Sequence, residues 1–165
     1  MTKPPVPPPT APAAASEARQ VLLGVLAGHL FAAAARRPPR TLRIGAAIAG
    51  EAGARLDTDL VVAGGPAVSG RTTVAEPLVI VHLLGPDTEE TVRKIKLPAF
   101  RAQPSCREVV LVQEHRLYCE IHRRLAGDRW ITDLLLDRDG RLRLDTGGID
   151  LTLSALYGQT GVGRA

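Results

Sequence analysis

The sequence predicts an α/β (α+β) domain in which a mixed β-sheet is flanked by helices and extended by C-terminal hairpins. Three observations carry this. Residues 77–84, Pro-Leu-Val-Ile-Val-His-Leu-Leu, form an apolar run closed by Gly85-Pro86, the pattern of a strand buried on both faces. Ahead of it stand one segment with a helical period and two strand-like segments, and behind it a helix and then further strands. The length, 165 residues, with 45% hydrophobic and 23% charged residues, suits one domain with a substantial core.

In chain order, Met1 to Ala15 is Pro-rich and free of aromatics, the composition of an extended, disordered tail. A single domain is expected over residues 16–157, with 158–165 a loose tail. Ser16 is placed to cap a helix whose apolar positions Val21, Leu22, Val25, Leu26, Leu30 and Ala33 repeat at 3.6 residues, and Arg36-Arg37-Pro38-Pro39 ends it. His29 belongs to its edge, because no second metal-ligand type stands one turn away. Thr41 to Ile48 puts Leu42, Ile44, Ala46 and Ile48 on one side with period two. Gly50-Glu51-Ala52-Gly53 turns that strand, and Leu56 to Ala63 returns as the second arm of a hairpin. Gly64-Gly65-Pro66 closes it without the Gly-Lys-Ser/Thr of a phosphate loop. Residues 67–76 form a polar connection of the kind that borders sites.

After the 77–84 strand, Asp87-Thr88-Glu89-Glu90 has the order of a capping box. The helix it opens should run to about Pro98, with Val92, Ile95, Ala99 and Phe100 on its apolar face and Lys96 along that face. Glu108 to Gln113 and Arg116 to Arg123 read as strands, the second with Leu117, Cys119 and Ile121 inside and Tyr118, Glu120 and His122 wet. Arg129 to Leu136 and Arg141 to Leu144 are expected to pair around Arg138-Asp139-Gly140. Trp130 reads as core or edge packing. A short strand from Ile149 to Leu153 and a helical turn to Tyr157 close the domain.

No run approaches ~18 apolar residues and the N-terminus lacks the order of a signal peptide, so the expectation is a cytoplasmic protein with no membrane partner. Cys106 and Cys119 are the only cysteines and read as reduced, partly buried thiols. A net charge of +4 and a pI near 9.6 permit contact with nucleic-acid phosphates without demanding it. Arginine supplies 18 of the 21 basic residues, a bias that a GC-rich coding preference produces by itself. Two of the three lysines, Lys94 and Lys96, nevertheless fall within one helical turn.

Thr58-Asp59-Leu60-Val61-Val62, then Pro77 through Thr88, then Lys96 four residues before Phe100 together resemble the Uma-two family, whose members look like restriction endonucleases of the PD-(D/E)XK type. The family pattern is a Pro-Asp opening one strand, a second strand of the form P-D-L-V-V-E-V-L-S-P-S-T, and a helix with a lysine before a tyrosine. The Gly85-to-Lys96 spacing matches. Arg107-Glu108-Val109-Val110 resembles a later glutamate-led strand, and Leu151 to Tyr157 the closing turn. The resemblance covers about Ser16 to Tyr157. It departs at two places: Thr58-Asp59 replaces Pro-Asp, and His82 replaces the second-strand glutamate.

The resemblance implies a restriction-endonuclease-like fold and hydrolysis of DNA phosphodiesters by a water bound to a divalent metal, Mg²⁺ or Mn²⁺. Asp59, His82 and Lys96 would be the catalytic positions, with Asp59 and His82 as metal ligands and Lys96 steadying charge on the phosphate. It also implies a homo-oligomer, since such nucleases commonly pair subunits to cut two strands. A neutral imidazole in place of a carboxylate should weaken Mg²⁺ and favour a transition metal. Without the resemblance, Asp59 reads as a turn or cap residue, His82 as a hydrogen-bonded core histidine and the two lysines as a solvated helix face. Three functions follow: a metal-dependent endonuclease, a catalytically inactive nuclease fold that binds nucleic acid or regulates, and a structural self-association protein.

Overall fold

The computed structural model describes residues 16–163. The tail expected over Met1 to Ala15 and the last two residues lie outside the described part. Helix α1 (Glu17–Ala35) starts where Ser16 Oγ accepts the Arg19 amide at 3.1 Å. Its Leu22, Leu26 and Leu30 repeat every four residues and are completely buried, and Ala33 and Ala34 are nearly so. By length and composition α1 could cross a membrane, with a mean hydropathy of 1.4. In the fold its leucine stripe packs into the hydrophobic core with residues of the central strands, while 28% of its apolar 18-residue window is buried; burial of each leucine contributes roughly 1.5–3 kcal/mol.

Six strands form the main sheet in the order β1 (Thr41–Ile44), β4 (Leu60–Ala63), β5 (Pro77–Leu84), β6 (Glu108–Gln113), β7 (Cys119–Arg124), β8 (Trp130–Leu135). Only β5 and β6 run parallel, which requires a crossover, and the helix between them supplies it. Helix α1 covers one face, over Val79, Val81 and Leu83. The crossover helix covers the other, over Ile80 and Leu84. Burial on both faces explains why the β5 sequence is almost continuously apolar.

The first hairpin forms as expected but is bent in two. Thr41 to Ile44 pairs with Leu60 to Ala63 in the main sheet, whereas β2 (Ala47–Ala49) and β3 (Arg55–Asp57) form a separate ribbon in the same running register. Gly45 makes the bend at φ +62°, a left-handed conformation that glycine adopts without strain. Across the bend Gly45 N donates to Asp59 O at 2.8 Å and Thr58 N to Ala46 O at 2.9 Å. The bend also breaks the predicted apolar alternation, because the two halves face different layers: Leu42 packs with the α1 core and Ile48 with the other, while Ile44 is 70% exposed.

The crossover helix, α2, spans residues 89–101 and does not stop at Pro98. It comprises one α-turn (Glu89–Thr91), a π-helical segment (Val92–Lys96) and a second α-helical piece (Leu97–Arg101). Leu97 N bonds to Val92 O, five residues back. Pro98 has no N–H for an ordinary helical bond, and the wider turn just ahead of it lets the chain continue. The extra residue rotates the helix face, so Ile95 is 59% exposed and Leu97 takes its place beside Val92 and Phe100. The capping box does not form; Thr88 Oγ1 instead accepts the Gly85 amide at 3.1 Å.

The C-terminal strands exchange partners relative to the prediction. Strand β8 pairs with β7, and β9 (Arg141–Leu144) pairs with β10 (Ile149–Thr152). Two devices redirect the chain. Gly127 and Asp128 both adopt positive φ, making the tight turn that joins β7 to β8. Asp137 Oδ1 then accepts the amides of Asp139 and Gly140, so the 137–140 turn leads away from β8. The β9–β10 loop is held down by buried Glu108, whose carboxylate accepts Asp145 N and Gly147 N, each at 2.9 Å. Helix α3 (Leu153–Tyr157) ends the domain, with Tyr157 Oη donating to Gln113 O at 2.6 Å. Residues 158–163 follow as turns, with Val162 packed against the core. Both cysteines are fully buried and unpaired, and burial pushes the Cys106 thiol up to about 12.

Candidate active site

Asp59 stands at the bend of the first hairpin, one residue beyond the Leu60–Val81 pair, which places it opposite His82 of β5. Its Oδ2 accepts the Leu83 amide at 2.7 Å and lies 3.4 Å from His82 Nδ1. Its Oδ1 accepts from Arg19 Nη2 of α1 at 2.5 Å. The same guanidinium reaches Glu114 Oε2 at 3.4 Å, just past β6. This ion pair is three-quarters or more buried at both ends, the side chains being 24% and 13% exposed.

His82 is buried, with its ring tilted 59° to Phe100 at a centroid distance of 6.1 Å. Burial pulls its pKa down to about 4; Asp59 opposes that shift, and the positive charges of Lys96 and Arg19 add to it. The imidazole is therefore neutral at pH 7, and its approach to Asp59 is not an ion pair. Among the described residues its Nδ1 has no hydrogen-bond partner. Lys96 sits at the end of the π-helical segment, and its Nζ donates to Asp57 O at 2.9 Å. Lys94 points outward and pairs with Glu90 at 2.5 Å.

The structure thus brings Asp59 and His82 into contact and places the Lys96 charge where His82 feels it. A hard divalent ion needs several oxygen ligands. Here one Asp59 oxygen bonds a guanidinium, the other bonds an amide, and a neutral imidazole stands where a second carboxylate would be. Among the described residues no group of three His, Cys, Asp or Glu side chains is placed to hold a metal ion. This donor set does not fit Mg²⁺ or Mn²⁺.

Sequence reasoning missed Arg19. One signal was available: a cation in the first turn of a helix opposes the helix dipole, so Arg19 at that position points to a tertiary partner. It also missed a second polar cluster, under α2. There Glu120 and His122, expected to be wet, are 6% and 4% exposed. Arg93 Nη1 lies 2.6 Å from Glu120 Oε2, and its guanidinium also bonds Glu89 Oε1 at 3.0 Å. Gln113 donates to Glu89 Oε2 at 2.8 Å, and that bond holds the Glu89 carboxyl below its ordinary value. Burial would raise the Glu120 carboxyl; His122, 3.6 Å away, and Arg93 outweigh it, and the net shift is downward. Thr132 Oγ1 meets His122 Nδ1 at 3.0 Å.

No protein-family model matches the chain, and no curated protein does. Among solved structures it is similar to the "putative nuclease belonging to DUF820" of Anabaena variabilis ATCC 29413, with a TM-score of 0.72 over 88% of this chain and 83% of that one. The chain has that fold. Identity is 10%, so the likeness lies in the architecture: a six-stranded mixed sheet flanked by helices, with C-terminal hairpins, as the Uma-two resemblance implied. In this nuclease-like fold, Arg19 of α1 and the β4–β5 pair form the polar cluster around Asp59.

Proposed function

We propose that this domain binds nucleic acid through a nuclease-like fold and does not hydrolyse it with a divalent metal. One observation carries the second half: the Arg19 guanidinium bonds Asp59 at 2.5 Å, beside neutral His82. A fixed cation there supplies the neutralisation that a metal would otherwise bring, but it has no open coordination position to activate water. The nuclease-like fold, the net charge of +4 and the pI near 9.6 support nucleic acid as the partner, held through its phosphates.

The test combines cleavage with binding. Supercoiled plasmid is incubated with excess protein and Mg²⁺ or Mn²⁺, using the native chain, Asp59→Ala, Lys96→Ala and the double variant Arg19→Gln/His82→Glu. Binding of a labelled duplex and of a labelled single strand is followed by anisotropy as salt is raised. The expected result is no native cleavage, with affinity falling steeply as salt increases. Native cleavage lost in both Asp59→Ala and Lys96→Ala would restore the metal-dependent endonuclease reading, with Asp59, His82 and Lys96 as its residues. Absence of binding to either duplex or single strands would leave the self-association reading.

A further inference from the structure

A cleft of about 480 Å³ opens beside the bent hairpin, and three arginines from three segments line it: Arg43 of β1, Arg55 of β3 and Arg71 of the 67–76 connection. Among the described residues Glu76 is the only carboxylate that lines it. Glu76 pairs with none of the arginines; its carboxyl group lies where a side chain at position 64 would otherwise be, 2.5–2.7 Å from a Cβ built on Gly64. The arginines are only partly used by the fold. Arg43 donates through Nε to Thr41 Oγ1 and through Nη2 to Gly65 O, each at 3.2 Å. Arg55 meets Asp57 Oδ1 at 3.3 Å and Thr72 O at 3.2 Å. Among the described residues the Arg71 side chain bonds to nothing. Among the described residues Arg43 and Arg71 therefore bring positive charge to the cleft with no carboxylate partner, carried on planar forks that match phosphate oxygens. Pro66 and half-exposed Val68 add an apolar wall.

We infer that this cleft is a binding site for the phosphate backbone of a nucleic-acid strand. The inference rests on the nucleic-acid reading above and gives that reading a location. The cleft adjoins the Asp59 cluster through the chain itself: Gly45 and Ala46 line it, and their backbones bond those of Asp59 and Thr58. Asp57 joins the two from the other side, meeting Arg55 with its carboxylate and Lys96 with its carbonyl. A strand lying along Arg43, Arg71 and Arg55 would continue toward Lys96. Phosphate contacts set position and affinity without reading sequence, so binding here should be tolerant of base sequence.

The experiment measures binding of a labelled duplex, a labelled single strand and inorganic tripolyphosphate to the native chain, Arg71→Gln, Arg71→Glu and Arg43→Gln, with Arg129→Gln as a control of equal charge change near the opposite edge of the sheet. Circular dichroism verifies that each variant is folded; Arg71 makes no side-chain bond, so its variants should be. We expect Arg71→Gln to weaken nucleic-acid binding about tenfold, as loss of a charge-assisted bond implies, and to reduce the salt slope by about 1. Arg71→Glu should weaken binding further, and Arg129→Gln should bind like the native chain. Native binding left unchanged by every cleft variant, or lowered equally by Arg129→Gln, overturns the cleft assignment and leaves the nucleic-acid reading standing. Tripolyphosphate binding that is lost in Arg71→Glu, without any binding of nucleic acid, upholds a phosphate site and overturns the nucleic-acid reading. No binding of any probe overturns both.

Discussion

The Arg19 guanidinium meets Asp59 Oδ1 at 2.5 Å, joining the first turn of α1 to the bend of the first hairpin across 40 residues of sequence. Both side chains are largely buried, so each limits the freedom of the other. Arg19→Gln leaves Asp59 with the Leu83 amide as its remaining strong partner and should lower stability by about 1–3 kcal/mol. A double-mutant cycle with Asp59→Asn in urea unfolding isolates the pair. A coupling energy within error of zero would show that the contact does not hold the two elements together.

His82 should make stability depend on pH in a defined window. Its folded pKa, about 4, lies below the ordinary 6.5 of an unfolded histidine. For such a group the stabilisation is complete above about pH 6.5 and is lost as pH falls toward 4, because the unfolded chain takes up the proton first. The full difference is about 3 kcal/mol. Urea midpoints measured between pH 7 and 4 for the native chain and His82→Asn would separate this part from the carboxylates; parallel curves would rule it out.

Arg93 balances buried Glu120 and half-buried Glu89 together. Replacing it with Met removes the cation and leaves a carboxylate beside His122 under the helix, a loss of about 3–5 kcal/mol. Adding Glu120→Gln should recover part of that loss, since the uncompensated charge disappears. Thermal melts of the single and double variants decide the point, and a double variant less stable than the single one would contradict it.

Glu108 should act through the loop it holds rather than through chemistry. Glu108→Ala frees the amides of Asp145 and Gly147 and should cost about 2–3 kcal/mol. Hydrogen exchange at those two amides should speed up before the rest of the sheet responds. Unchanged exchange there would mean that the β9–β10 loop holds itself.

Much of the architecture was legible because it is written in short-range pattern. The leucine spacing of α1 and the unbroken apolar run of β5 each reflect burial against a layer, on one stripe or on two faces, and each element formed where the pattern placed it. Asp59 and His82 were picked out through the Uma-two resemblance alone; by residue pattern they read as a turn residue and a core histidine. Patterns failed where geometry is set by a residue that breaks the repeat. Gly45 bends a strand that reads as continuous, and the π-turn before Pro98 rotates a helix face by one residue. The turn at Gly127 and Asp128 gave β8 to β7.

Short-range pattern was enough for the α+β class and the burial of the central strand, and the resemblance to the Uma-two family singled out Asp59, His82 and Lys96. Neither could determine their state. That Arg19 neutralises Asp59 and that Lys96 is held by a carbonyl depends on approaches between residues 39 and 40 positions apart. The neutrality of His82 comes from exclusion of water by layers assembled from the whole chain. Charge and hydration act through space, and only the folded chain says which charges are near and which are dry.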